Sequence, residues 1–290
     1  MKFLVLGSMN IDSTFSVSHI VHEGETITSC SRKQSPGGKG ANQAAALAKA
    51  GAKVYFAGKF GEDGRFILEL LSSYGADTSL SVLYEGNTGS AFIQVDNDGQ
   101  NAIVIDAGGN RKWTEDEIVS IFSHFEKGDV IVLQNEINLL GFIIEKAKEK
   151  GLIIVLNPSP YDEIIDSLPL NKVDYFFLNE IEAEALTNKK DYTEMIEAFK
   201  IKFPNSNLIL TCGKNGSYAS VDGNTVYQKI IDYPVKDTTG AGDTFTGFFL
   251  SAFFSSSLQQ ALFIASKASG IAVSREGAMI SMPTLDEINM

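Results

Sequence analysis

The sequence predicts an α/β fold in three layers: a central, mostly parallel sheet flanked by helices, carrying a small β-sheet lid. Three observations lead there. Beyond residue 111, short continuous apolar segments alternate with amphipathic ones, the pattern of strands buried on both faces and of the helices that cover them. Two stretches, about 13–33 and 88–107, instead carry β-branched residues around tight turns and read as strand excursions forming the lid. Two glycine-rich turns, near residues 38 and 241, each open an apolar helix and allow a ligand to approach the backbone closely.

In chain order, residues 2–7 read as a buried strand ending in Gly7, followed by the polar cluster 8–12. Asn10 and Asp12 then stand in the loop beyond a strand end, where open α/β sheets bind ligands, although turn chemistry alone accounts for them equally well. Residues 14–21 and 25–31 around Glu23-Gly24 read as a hairpin. Gly37-Gly38-Lys39-Gly40-Ala41-Asn42 is a turn into a helix over 42–50, which Gly51 ends. It is not a Walker A loop, because Lys33 and Gly40 stand where that motif needs a glycine and a Ser or Thr. A strand over 53–58 and a helix reaching about Tyr74 follow. Residues 90–95 and 101–106 form a second hairpin around an Asp-rich turn, which lacks the closing Glu of a calcium loop because Ala107 occupies that position.

The regular alternation then begins: helix 115–125, strand 130–134, helix 138–150, strand 152–156, strand 173–178 and a helix opened by Asn179. Glu136 lies just past a strand end. A strand over 207–211 leads to Cys212-Gly213-Lys214-Asn215-Gly216 and a hairpin of 217–221 with 225–230. Next comes Asp237-Thr238-Thr239-Gly240-Ala241-Gly242-Asp243-Thr244-Phe245, which enters an apolar helix over 244–254; a further helix spans 258–272. The turn can aim the N–H groups of Gly240, Ala241 and Gly242 at an anion, and Asp243 in the positive end of the helix can accept a proton from an attacking hydroxyl. Taken alone, the same residues read as a tight turn with a dipole-favoured acid. No repeat, low-complexity segment or linker divides the 290 residues, so a single domain over 1–290 is expected.

Composition excludes several function classes. The balance of 24 basic and 36 acidic residues, net −12, opposes partnership with nucleic acid or an anionic membrane. The apolar run 3–6 is too short for a signal peptide, and no segment has the length of a membrane span. Cys30 and Cys212 are the only cysteines, which predicts free thiols and a cytoplasmic location. The three histidines, His19, His22 and His124, predict neither a zinc site nor a Ser-His-Asp triad, and the first two are expected in surface loops.

Gly37-Gly38-Lys39-Gly40-Ala41-Asn42-Gln43-Ala44 and the 237–245 segment, in this order and spacing and with two β-excursions in the chain, resemble the two signature motifs of the PfkB carbohydrate kinase family, which contains ribokinase, fructokinase and adenosine kinase. The resemblance covers essentially the whole chain and implies a ribokinase-like fold with a β-lid over a sugar, the lid commonly also serving as a homodimer contact. It implies that Asn10, Asp12, Gly38, Lys39, Asn42 and Glu136 contact the sugar. Asp243 becomes the base that deprotonates a primary hydroxyl as it attacks ATP, and Gly240, Ala241 and Gly242 become the anion hole. Asn179 and Glu182 match a motif near Mg²⁺ and the phosphates, with Glu182 acting through metal-bound water. Thr211, Gly213, Gly216 and Gly242 match nucleotide-binding positions. Ser266 stands near the adenine, where relatives often carry a larger polar residue. Asp237, Thr239, Ala272, Arg275, Gly277 and Ser281 fall on a monovalent-cation site, so potassium activation is expected.

The expected reaction is ATP-dependent phosphorylation of D-ribose at its 5-hydroxyl. Deoxyribose, fructose or another ketose, or a nucleoside remains open within the family, since a fold does not fix a substrate. A non-catalytic sugar sensor on the same fold is disfavoured by Asp243, for which a sensor has no use. A dinucleotide-binding oxidoreductase is disfavoured by Phe245, which stands where the third glycine of that fingerprint belongs.

Overall fold

The computed structural model describes residues 1–289. The chain runs β1 (Phe3–Leu6), β2 (Asn10–Ser16), β3 (Ser31–Gly37), α1 (Lys39–Lys49), β4 (Val54–Ala57), β5 (Lys59–Phe60), α2 (Arg65–Ser73), β6 (Val82–Leu83), β7 (Gly89–Val95) and β8 (Asn101–Asp106). It continues through α3 (Glu115–Phe122), β9 (Val130–Gln134), α4 (Leu140–Lys150), β10 (Ile153–Asn157), β11 (Tyr175–Asn179), α5 (Glu180–Thr187) and α6 (Tyr192–Lys202). The last elements are β12 (Asn207–Thr211), β13 (Ser217–Val221), β14 (Asn224–Gln228), α7 (Ala241–Phe253), α8 (Leu258–Val273) and α9 (Leu285–Asn289).

An eight-stranded sheet in the order β14-β13-β12-β11-β10-β9-β1-β4 forms the middle layer. Its strands are parallel from β12 to β4, and β13 and β14 add an antiparallel edge. The completely buried β9, Val-Ile-Val-Leu-Gln, shows why the apolar runs read as they do: alternate residues face opposite layers. Val130 and Val132 join the core beneath α1, α7 and α8, while Ile131 and Leu133 join the core beneath α3 and α4. No helix among the described residues is long and apolar enough to cross a membrane.

A separate four-stranded sheet has the order β3-β2-β7-β8. Its first pair departs from the expected hairpin of 14–21 with 25–31. The tight turn at Glu23-Gly24 exists, with Gly24 at φ 77°, but the paired strands lie further out, with Ser16 opposite Ser31 and Asn10 opposite Gly37. The reason is β7, which pairs in parallel along the whole of β2, with Asn10 opposite Gly89. Asn10 and Asp12 are therefore strand residues of the small sheet and not residues of a loop after β1.

Three smaller differences have local causes. Helix α1 starts at Lys39, three residues before the expected start, because Gly38 adopts φ 89° and turns the chain directly into the helix. α7 likewise starts early, at Ala241, behind Gly240 at φ 75°. The sequence reading assigns nothing at α6, whose start is fixed by the Asp191 carboxylate accepting from the N–H groups of Thr193 and Glu194. Cys30 is exposed and Cys212 buried, and neither is paired.

Candidate active site

The two glycine turns meet because α1 packs directly against α7. Gly247, one turn along α7 from Asp243, faces Ala46 and Leu47 of α1 so closely that an added Cβ would lie 2.7 Å from Leu47 N. At the other end of α1, Gly40 abuts the backbone of Gly7 and Ser8, where a Cβ would stand 2.5 Å from Ser8 N. Helix α1 is thus wedged between the end of β1 and α7, and its first turns point at Asp243.

Asp243 is 8% exposed, and both its oxygens are held. Asn42 Nδ2 donates to Oδ2 at 2.9 Å and Gln43 Nε2 to Oδ1 at 3.0 Å. The N–H of Ala241, expected with those of Gly240 and Gly242 to face an anion, donates instead to Thr238 O at 3.2 Å. Among the described residues the N–H groups of Gly240, Gly242 and Asp243 have no protein acceptor, so the helix N-terminus keeps three free donors beside the carboxylate.

These residues form part of the wall of a cleft of about 710 Å³. It holds most of the expected nucleotide side: Asn179, Glu182, Thr211, Gly213, Gly216, Gly240, Gly242, Asp243 and Ser266, together with Lys39. Asn179 and Glu182 form a complete capping box on α5, with Glu182 N–H donating to Asn179 Oδ1 and Asn179 N–H to Glu182 Oε2. Glu182 is 4% exposed and its Oε1 also accepts from Asn179 Nδ2 and Ser159 Oγ. Local capping therefore explains this residue pair before any ion is invoked.

The sugar-side candidates gather beyond Lys39, where the small sheet meets the end of β1. Glu136 accepts from Ser8 Oγ and from the Lys39 N–H at 3.0 Å. Burial pushes its carboxyl above the usual range, although Ser8 and Lys39 work the other way. Burial and, second, the nearby Glu136 push Asp12 up to about 7. For Lys39, burial opposes the ammonium, but the carboxylates of Asp243, Glu136 and Glu182 outweigh it and hold its pKa above the ordinary lysine value. Asn10 is fixed by Asn110, whose Nδ2 donates to Asn10 Oδ1 at 2.8 Å and whose Oδ1 accepts from Met9 N–H. Asn42 Oδ1 is buried without a partner among the described residues. Gln43 and Gln134 are not singled out from sequence as working parts, whereas Gly108-Gly109-Asn110 after the lid strand reads there as favouring ribose.

The expected cation residues lie behind the turn, outside the cleft lining. Asp237 accepts from Thr239 N–H at 2.9 Å, from Thr239 Oγ1 at 2.6 Å and from Gly277 N–H at 2.9 Å, and so ties the segment before α7 to the one after α8. Burial would raise its pKa, but these hydrogen bonds prevail and hold it low, so the carboxylate stays charged. Arg275 N–H bonds Ala272 O, its guanidinium pairs with Glu287, and Ser281 Oγ bonds Ala278 O, which places these residues at the end of α8 and in the chain that follows it. Elsewhere, His19, His22 and Glu25 bring ligand-type atoms within 4.8 Å of one another in the exposed loop joining β2 and β3, where His19 Nε2 is already held by Glu25.

Comparison with known proteins follows the same outline. The model of the pfkB family carbohydrate kinases matches residues 2–285. A ribokinase from Staphylococcus aureus is 35% identical, over 99% of this chain and 98% of its own length. A structure of Arabidopsis thaliana ribokinase complexed with ribose and ATP superposes with a TM-score of 0.88 at 31% identity, covering 99% of this chain and 97% of that one. A deoxyribokinase from Salmonella typhi is 30% identical, over 100% of this chain and 98% of its own length.

Proposed function

The chain belongs to the pfkB family of carbohydrate kinases, and from that premise we propose that it transfers the γ-phosphoryl group of ATP to the 5-hydroxyl of D-ribose. The observation that carries this reading is the Asp243 carboxylate, set in the first turn of α7 at the wall of the cleft and next to three free N–H donors. A base beside an anion-binding turn is what phosphoryl transfer to an alcohol requires.

In the proposed reaction the sugar lies among Asn10, Asp12, Gly38, Lys39, Asn42 and Glu136, under the small sheet. That set offers half-buried carboxylates and buried amides to a ring of hydroxyls, and Asn42 Oδ1, without a partner among the described residues, suits one of them. ATP fills the long cleft past Asn179, Thr211, Gly213 and Gly216 toward Ser266. The sugar O–H proton passes to Asp243 as the hydroxyl oxygen bonds to phosphorus, and the bond from phosphorus to the bridging oxygen of ADP breaks. The N–H groups at the start of α7 and the Lys39 ammonium, which makes no ion pair within 4.0 Å among the described residues, meet the charge of the transferred group.

Two ions fit the donor sets. Glu182 and Asn179 would hold Mg²⁺ through water, since the Glu182 oxygens already serve the capping box; such an ion neutralises phosphate charge. The charged Asp237, with Thr239 and carbonyls from 272–281, suits a monovalent cation such as potassium behind the anion hole. The apolar side chains of Phe92, Ile103, Val104 and Ile105 are exposed on the small sheet, which supports a lid that also pairs two copies. A protein with this net charge and two free thiols suits the cytoplasm.

The relative that is a deoxyribokinase keeps deoxyribose as the second reading. ADP release measured with D-ribose, 2-deoxyribose, fructose and a nucleoside, each with and without potassium, separates the two. The proposal expects D-ribose to give the highest kcat/KM. Release with none of the four would overturn it.

A further inference from the structure

We infer that Gln43 and Gln134 form a buried amide chain that positions the Asp243 carboxylate, holding one of its oxygens fixed so that the substrate proton is taken by the other. This rests on the reading of Asp243 as the base. Gln43 and Gln134 are both 0% exposed and touch no solvent in the cleft. Gln43 Nε2 donates to Asp243 Oδ1 at 3.0 Å, and Gln134 Nε2 donates to Gln43 Oε1 at 2.7 Å.

The orientation of both amides follows from the carboxylate. An ionised acid only accepts, so the NH₂ end of Gln43 must face it. That turns Gln43 Oε1 toward Gln134, whose NH₂ end must then face Gln43. The chain ends on Gln134 Oε1, which is buried with no partner among the described residues. An orphaned buried acceptor is costly, and the Gln134 amide spares Gln43 Oε1 that state by carrying the orphan to the far end of the chain, away from the base. Room for the orphaned oxygen exists only because residue 7 is glycine, where any Cβ would collide with it.

The two Asp243 oxygens are thereby made unequal. Oδ2 is held by Asn42, which lies in the sugar site and can exchange its donor for contacts with the substrate. Oδ1 is held by a side chain sealed between α1 and β9 and stays occupied. The hydroxyl proton is accordingly taken at Oδ2: its bond to the sugar oxygen breaks as a bond to Oδ2 forms, while Gln43 keeps Oδ1 as a pure acceptor. Gln43 and Gln134 touch no reacting atom; they act by holding the carboxylate in one rotamer and one plane.

The test compares Gln134→Met, Gln43→Met and the double variant with the full-length protein, reading kcat, both KM values and Tm, with Asp243→Asn alongside. Gln134→Met keeps the shape but leaves Gln43 Oε1 without its donor, exchanging one orphaned acceptor for another, so Tm changes little while kcat falls about tenfold, with KM for sugar and ATP within about twofold. In the Gln43→Met background the same change lowers kcat no further, because the chain is already broken. Should Gln134→Met not fold, Gln134→Asn, which keeps an amide too short to reach, carries the same expectation. A Gln134 variant that folds and keeps wild-type kcat beside an inactive Asp243→Asn overturns this inference alone. An active Asp243→Asn overturns the reading of the base and the amide chain with it.

Discussion

Replacing Gly247 by alanine perturbs the contact that brings the two halves of the site together. The new Cβ would lie 2.7 Å from Leu47 N and 2.8 Å from Ala46 C, and nearer still to Ala46 Cβ, where ordinary contact begins at 3.4 Å. Helices α1 and α7 must part by the difference, about 0.7 Å or more. Overpacking of this kind costs about 1–3 kcal/mol, and the gain in helix propensity from Gly to Ala returns about 1 kcal/mol. The net change in stability is small, a few degrees in Tm at most. The change in chemistry is not small, because the same displacement acts on Asn42 and Gln43, whose bonds to Asp243 are 2.9 and 3.0 Å long and cannot stretch by that amount. A misplacement approaching 1 Å at a reacting group lowers turnover by up to about 10²-fold. Steady-state kinetics alongside thermal unfolding should show kcat falling far more than stability. Full turnover in Gly247→Ala would show that the close approach of α1 and α7 does not set the geometry of Asp243.

Asp243→Asn is expected to lower kcat by about 10²–10⁴-fold or more while leaving nucleotide and sugar binding in place, which calorimetry can check. Its stability should drop by about 1 kcal/mol or less, because Asn42 can flip its amide and offer its unpartnered oxygen to the new NH₂ group. Asp12 has a folded pKa raised from 3.8 to about 7, so its neutral form is the one the fold favours. Its contribution to stability is therefore fully present below about 4 and is lost as pH rises to about 7. Asp12→Asn should be more stable than the parent at pH 8, with the advantage shrinking toward pH 4 in thermal unfolding. Sodium in place of potassium should lower kcat, and in Asp237→Ala the two salts should give the same rate.

What could be seen in the sequence is what the backbone demands locally. Gly38 and Gly240 must adopt positive φ to turn directly into a helix, and the residues that follow, Lys39 and Asp243, are delivered to the site by that turn alone. The strand ends at Gly7, Gln134 and Asn179 obey the same rule, which is why Glu136 and Asn179 were recognisable as candidate site residues. Partners chosen at long range were not. The place of Asn10 and Asp12 in the small sheet depends on β7, some eighty residues away, and no property of 8–12 by itself separates a loop from a strand that will find that partner. Gln43 and Gln134 stand 91 residues apart, each beside polar neighbours that drew the eye first, and only their meeting gives either a direction.

Asn179 and Glu182 show the converse difficulty. In the sequence they read as the opening of a helix and, through the family resemblance, as a metal-side motif, and the two are not exclusive. The completed cap draws both Glu182 oxygens toward Asn179, and Oε1, which accepts from both Asn179 Nδ2 and Ser159 Oγ, could coordinate a cation directly only in competition with bonds already made. An ion held one water away breaks none. The local demand that made the motif legible therefore also limits how the same residues can take part in the chemistry.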